Sequence, residues 1–144
     1  MESGDASFFN LQIPFLKLLG VRAVQREPGR AVVALDVRPE LTNSWRVAHG
    51  AVVTALLDCS MSAAARTSAG HNGGVMTVDL SVHFMRAGAG RLTAEARVLR
   101  SGGAIVFCES EVRDEAGELV AKGIGSFKLR RREDAASESE SRTE

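Results

Sequence analysis

The sequence predicts an α+β domain in which a curved antiparallel sheet of about six strands wraps around one long helix. Three observations carry that expectation. Residues 51–67 place Ala, Val, Leu and Met on every side, with Asp58 the only charge before Arg66, as expected of a helix enclosed by other structure. From Met76 to Phe84 apolar and polar residues alternate strictly, and residues 91–100 repeat the alternation. That two-residue period belongs to antiparallel strands with one solvated face. A helix with no polar face, beside strands with one apolar face each, is buried when the sheet curls around it.

The elements follow in order. Asp5 or Ser7 is placed to cap a short helix through Gln12, and Pro14 opens a further turn that Gly20 closes after Leu19. Residues 21–27 and 30–37 read as strands around Pro28-Gly29, the second with Ala31, Val33, Leu35 and Val37 on one face. A loop spans 38–49, the long helix follows, and the GHNGG run at 70–74 stops it. The next strand sets Met76, Val78, Leu80, Val82 and Phe84 inward against Thr77, Asp79, Ser81 and His83. Leu92, Ala94, Ala96 and Val98 form the inner face of the following one. Residues 104–114 and 119–129 give two more strands around Glu115-Ala116-Gly117-Glu118.

A chain of 144 residues fits a single domain, over residues 1–130. Residues 131–144 have no apolar side chain beyond two alanines and are expected to form a disordered charged tail. Lys plus Arg and Asp plus Glu number 18 each, so no overall charge draws the protein to nucleic acid or an acidic membrane. Cys59 and Cys108 are far apart and lie in core segments, which predicts reduced, buried thiols. No basic-then-apolar leader opens the chain and no run of 18 apolar residues occurs, so a cytoplasmic protein is expected.

The order of certain residues adds a resemblance. The IPFLKLLGV run at 13–21, Asn43 followed six residues later by His49-Gly50, Asp58 nine residues after that histidine, and the strand VMTVDLSVHFMRA together resemble the hotdog-fold acyl-CoA thioesterases. The similarity is to the PaaI-like, phenylacetate-degradation type, over roughly residues 10–130. It implies a hotdog fold and a homodimer, often a dimer of dimers, that hydrolyses the thioester of an acyl-coenzyme A. Ala51 stands where that family usually has a second glycine, and Ala87 where it tends to have proline. Neither change removes a reacting group.

Thioester hydrolysis needs a polarised carbonyl, a nucleophile or base, and an oriented acyl group. Gly50 sits at the helix N-terminus, where free N–H groups and the dipole favour a developing oxyanion; its other role is to ease the loop into the helix. Asp58, a carboxylate in apolar surroundings, is the candidate nucleophile or general base, or else a structural group bonded to Thr54 or Ser62. Eight residues of helix separate Gly50 from Asp58 by roughly 12 Å along the axis. One carbonyl cannot use both from the same chain, so the spacing predicts a site at a two-fold interface.

Ser62, one turn beyond Asp58, is placed to hold the carboxylate or a water, or to bond its own backbone. Thr77 matches a family position that supports the carboxylate, but the alternation puts it opposite the presumed inner face. Asn43 suits orienting a water or thioester, or serving a turn. His49 is expected in a supporting role near the helix N-terminus. Arg86, Arg91 and Arg100 are candidates for the coenzyme A phosphates, against a background of ordinary solvated arginines. Scattered histidines give no metal-ligand spacing, so no metal is expected, and no cofactor beyond the coenzyme A of the substrate. The alternative to an enzyme is a non-catalytic acyl-CoA binding or sensing protein; a hydratase built on His49 and Asp58 ranks third.

Overall fold

A computed structural model describes residues 7–68 and 73–130. Asp5, His71 and the expected tail lie outside the described residues. The first element is α1 (Pro14–Leu19), opened by proline and closed by Gly20 at φ 81°. Strands β1 (Arg22–Glu27) and β2 (Arg30–Asp36) follow, then a single 3-10 turn (Pro39–Leu41) and the long helix α2 (Gly50–Arg66). Four strands complete the described residues: β3 (Gly74–Phe84), β4 (Arg91–Gly102), β5 (Ile105–Arg113) and β6 (Leu119–Arg130). They form one antiparallel sheet in the order β1-β2-β4-β5-β6-β3. Helix α2 lies against the face that all six strands share. This is the hotdog arrangement, as expected.

The expected helix through Gln12 does not form over the described residues. Phe8 and Leu11 instead exchange backbone hydrogen bonds of 2.7 and 3.0 Å around a turn in which Phe9 and Asn10 have positive φ. Burial of the Phe8 side chain wins over local helix propensity here.

Small side chains let α2 approach the sheet. Ala94 and Ala96 of β4 and Ala121 of β6 are fully buried beneath Leu56, Leu57 and Met61 of the helix face. The polar pair Ser60 and Ser110 is buried in this core with its hydroxyls 2.8 Å apart, and the Ser60 hydroxyl also lies 3.0 Å from the Leu57 carbonyl. On β6, a Cβ at Gly125 would stand 2.9 Å from Leu80 Cδ2 and from Phe127 Cε2, and 3.0 Å from the Asp79 carbonyl oxygen. Gly125→Ala is therefore expected to destabilise the fold by about 1–3 kcal/mol. Chemical denaturation of both forms checks this, and an unchanged midpoint would mean the strands part more easily than their packing implies.

One sequence expectation is overturned in β3, with consequences for the site. The pairing with β6 shifts register between Thr77 and Asp79, so a bulge inserts a residue and reverses the phase of the alternation. Beyond the bulge Leu80 and Val82 pack inward as expected. Before it, Val75 and Thr77 face the helix, while Met76 and Val78 lie exposed on the outer face at 47% and 59%. Farther across that outer face, Arg97 pairs with Glu109, Lys122 with Glu109 and Glu111, and Arg113 with Glu111.

Cys59 and Cys108 are both reduced and buried. Burial pushes the Cys108 thiol up to about 12 and raises Cys59 as well, with the Asp58 charge adding to the latter. Thiolate is then nearly absent at pH 8, so neither cysteine of the native protein is expected to react with iodoacetamide, and both react once it is unfolded. Mass spectrometry after labelling reads this out; rapid labelling of native Cys108 would contradict its placement. Among the described residues no helix is long and apolar enough to cross a membrane.

Candidate active site

The site is built from α2 and the edge strand β3, which runs along the helix in the opposite direction. His49 caps α2: its Nδ1 accepts the Ala51 N–H at 2.9 Å, and its carbonyl accepts the Val52 and Val53 amides. The cap fixes the tautomer, because an accepting Nδ1 leaves the proton of the neutral ring on Nε2. The Nδ1 of His49 is thus occupied as the helix cap. Of the first-turn amides, Gly50 N–H alone has no acceptor among the described residues. It is a free donor at the positive end of a helix of 17 residues. The Phe84 ring of β3 lies beside Gly50, 3.5 Å from where a Cβ would be.

Every fourth residue from Gly50 forms a stripe along α2: Thr54, Asp58, Ser62 and Arg66, each only half-buried. The helix is therefore not apolar all round. The protein's own sheet leaves this stripe partly open beside β3, an edge strand. Thr54 donates to the Gly50 carbonyl at 2.8 Å and so does not serve Asp58. The partner of Asp58 is Thr77, whose hydroxyl donates to Oδ1 at 2.6 Å. The β3 bulge makes this contact possible, since uninterrupted alternation would send either Thr77 or Leu80 to the wrong face. Asp58 has no cationic partner among the described residues, which leaves its second oxygen available. Ser62, with no hydrogen-bond partner of its own among them, lines the same cavity.

That cavity has a volume of about 330 Å³ and an apolar wall supplied by the N-terminal segment, including Phe8, Ile13 and Leu16. Asp58, Ser62 and Arg66 enter it from α2 and Thr77 from β3. A separate cavity of about 340 Å³ lies at the start of the helix, lined by Thr42, His49 and Ala51. On one chain the free amide thus stands at the N-terminus of α2 and the carboxylate at its middle, roughly 12 Å apart along its axis.

The remaining expected residues are dispersed. Asn43 takes the turn role with its oxygen, which accepts the Trp45 N–H at 3.0 Å and the Val47 N–H at 3.4 Å. Arg86 pairs with Glu118 at 2.9 Å and Arg91 with Asp36 at 3.7 Å, whereas Arg100 lies nine residues farther along β4. At about 3.3 Å per residue that is roughly 30 Å, too far for Arg91 and Arg100 of one chain to share a phosphate group. Among the described residues no three His, Cys, Asp or Glu side chains cluster as metal ligands would.

Residues 46–121, more than half of the chain, match the family model described as the thioesterase superfamily. The chain belongs to the thioesterase superfamily. The matched stretch holds the free Gly50 amide, Asp58 and Thr77. Among curated relatives, this superfamily member is 34% identical over 116 residues to a protein of Saccharolobus solfataricus named "Putative esterase", covering 80% of this chain and 82% of that one. Among solved structures it resembles a conserved protein from Pseudomonas aeruginosa, at 32% identity and a TM-score of 0.79, over 83% of this chain and 95% of that one. It also shares its fold with the Escherichia coli PaaI protein of the phenylacetic acid degradation operon, at 23% identity and a TM-score of 0.75, over 81% and 83% of the two chains.

Two residues of this thioesterase-superfamily protein gain a place that the sequence did not give them. Phe84, expected in the core, is exposed and lies beside Gly50. Arg66, expected only to end the apolar run, enters the Asp58 cavity. The four-residue spacing of 54, 58, 62 and 66 was the signal that could have found the arginine.

Proposed function

We propose that the protein hydrolyses the thioester of an acyl-coenzyme A to the free acid and coenzyme A. The observation that carries this reading is the Asp58 carboxylate, held by Thr77 at 2.6 Å on the wall of an apolar cavity large enough for an acyl group. Superfamily membership supports thioester hydrolysis as the broad chemistry. The Gly50 N–H of one subunit polarises the thioester carbonyl and stabilises the oxyanion as it forms. Asp58 of the partner subunit either attacks the carbonyl carbon, expelling coenzyme A thiolate and leaving a mixed anhydride that water then hydrolyses to the free acid and the restored carboxylate, or takes a proton from a water that attacks the carbonyl directly. On either route the departing thiolate takes up a proton.

The geometry of one chain supports a homodimer. Amide and carboxylate stand too far apart to meet on one carbonyl, while the edge strand β3 and the half-open stripe of α2 offer a surface for a second copy. A two-fold axis there would bring each Gly50 toward the other chain's Asp58. The coenzyme's phosphates remain outside, with Arg100 available to meet them and Arg86 and Arg91 available only by giving up their carboxylates.

A panel of acyl-CoAs, aromatic and aliphatic, short and long, tests the proposal by release of free coenzyme A thiol. Turnover of at least one class at a rate typical of enzymes supports it. Saturable binding of acyl-CoAs with cleavage of none would favour the binding-protein reading instead.

A further inference from the structure

The cavity that holds Asp58 also holds a cation with no carboxylate partner among the described residues. Arg66 lies two turns beyond Asp58 on the same stripe of α2, and its Nε and Nη1 are buried without a hydrogen-bond partner among the described residues. Seven other arginines, at 22, 30, 38, 86, 91, 97 and 113, pair with carboxylates. The charge nearest in effect to Arg66 is a second cation: Arg26, itself set over the Phe9 ring at 5.2 Å, pushes the Arg66 guanidinium down, adding to the larger effect of its own burial. A half-buried guanidinium with two idle buried donors and a like charge acting on it is a costly arrangement, and an anion brought to it would relieve both costs.

We propose that the acyl group this protein accepts ends in a carboxylate, received by Arg66 at the far end of the cavity from Asp58. The assignment rests on the acyl-CoA hydrolase reading and names its substrate class: coenzyme A monoesters of aliphatic dicarboxylic acids. Asp58 and Arg66 are eight residues apart, roughly 12 Å along the axis. Helix side chains lean toward the N-terminus, so the guanidinium reaches back toward Asp58 and shortens the span. A short diacid fits, with its thioester near the carboxylate of Asp58 and its free end at the arginine. The apolar wall of Phe8, Ile13 and Leu16 suits the methylenes between. A phosphate of coenzyme A is a poorer occupant, because it carries more charge than a carboxylate and the apolar wall would strip its water.

The test compares adipyl-CoA with hexanoyl-CoA, which share a carbon count and differ in the terminal group, in wild type, Arg66→Met and Arg66→Lys. Wild type is expected to have the higher kcat/KM for adipyl-CoA. In Arg66→Met the ratio of the two is expected to fall roughly 30-fold or more, as when one partner of a buried charge pair is removed, with Arg66→Lys intermediate. Wild-type preference for hexanoyl-CoA over the glutaryl, adipyl and suberyl esters would overturn the proposal, and that result needs no variant to fold. An equal loss on both esters in Arg66→Met would overturn it too, pointing to a role at the subunit interface or toward coenzyme A. Absence of turnover with every ester would defeat the hydrolase reading itself, whereas turnover limited to neutral acyl groups defeats the carboxylate assignment alone.

Discussion

Asp58→Asn is expected to lower kcat by about 10³-fold or more while leaving acyl-CoA binding largely intact. The substitution is nearly isosteric, and an asparagine Oδ1 still accepts the Thr77 hydroxyl that now sits at 2.6 Å. What disappears is the negative charge and the ability to attack or to take a proton. A structural carboxylate would give a different result, a change in stability with turnover kept. Thermal unfolding measured beside kcat separates the two. Incorporation of ¹⁸O from solvent into the Asp58 side chain over repeated turnovers would identify direct attack, and its absence would identify base catalysis.

Gly50→Pro is expected to cost roughly 10²- to 10³-fold in kcat, the usual effect of deleting one oxyanion donor. Proline at the first position of a helix is tolerated, because its fixed φ suits that position and the missing N–H bonds nothing inside the helix. The backbone of His49, at φ −59° and ψ 140°, is one that a following proline permits. An added Cβ meets the Phe84 ring at an ordinary contact distance of 3.5 Å. The variant thus removes the amide hydrogen with little else disturbed. Steady-state kinetics and circular dichroism on the same preparation check both halves of the expectation.

Much of this fold is legible in the sequence because its two periods are strong. Residues 50–66 make a helix through apolar content and a clean start at His49-Gly50. Strands β4, β5 and β6 bury the faces that alternation assigns. The failures have local causes. At Phe8–Leu11 the burial of one aromatic ring set the turn, and ring burial is not visible in helix propensity. At Thr77 the bulge reversed the faces, and nothing in VMTVDL marks where an extra residue will be accommodated.

The site divides the same way. Gly50, His49 and Asp58 follow from helix geometry, and the 12 Å argument needs only residue counting. The link from Asp58 to Thr77 depends on tertiary contact and was recoverable only through family resemblance. Arg66 was not singled out, because the cavity it enters is walled by Phe8, Ile13 and Leu16, which come from far away in the sequence.

The composite site is tested most directly by mixing two dead proteins. Asp58→Asn keeps a good Gly50 amide, and Gly50→Pro keeps a good Asp58. If each site takes its amide from one subunit and its carboxylate from the other, a heterodimer of the two variants holds one intact site. Random exchange of subunits makes half the dimers mixed, so CoA release by the equimolar mixture is expected to recover to roughly a quarter of wild type. Activity that stays at the sum of the separate variants, in a mixture shown by native mass spectrometry to contain heterodimers, would contradict the shared site.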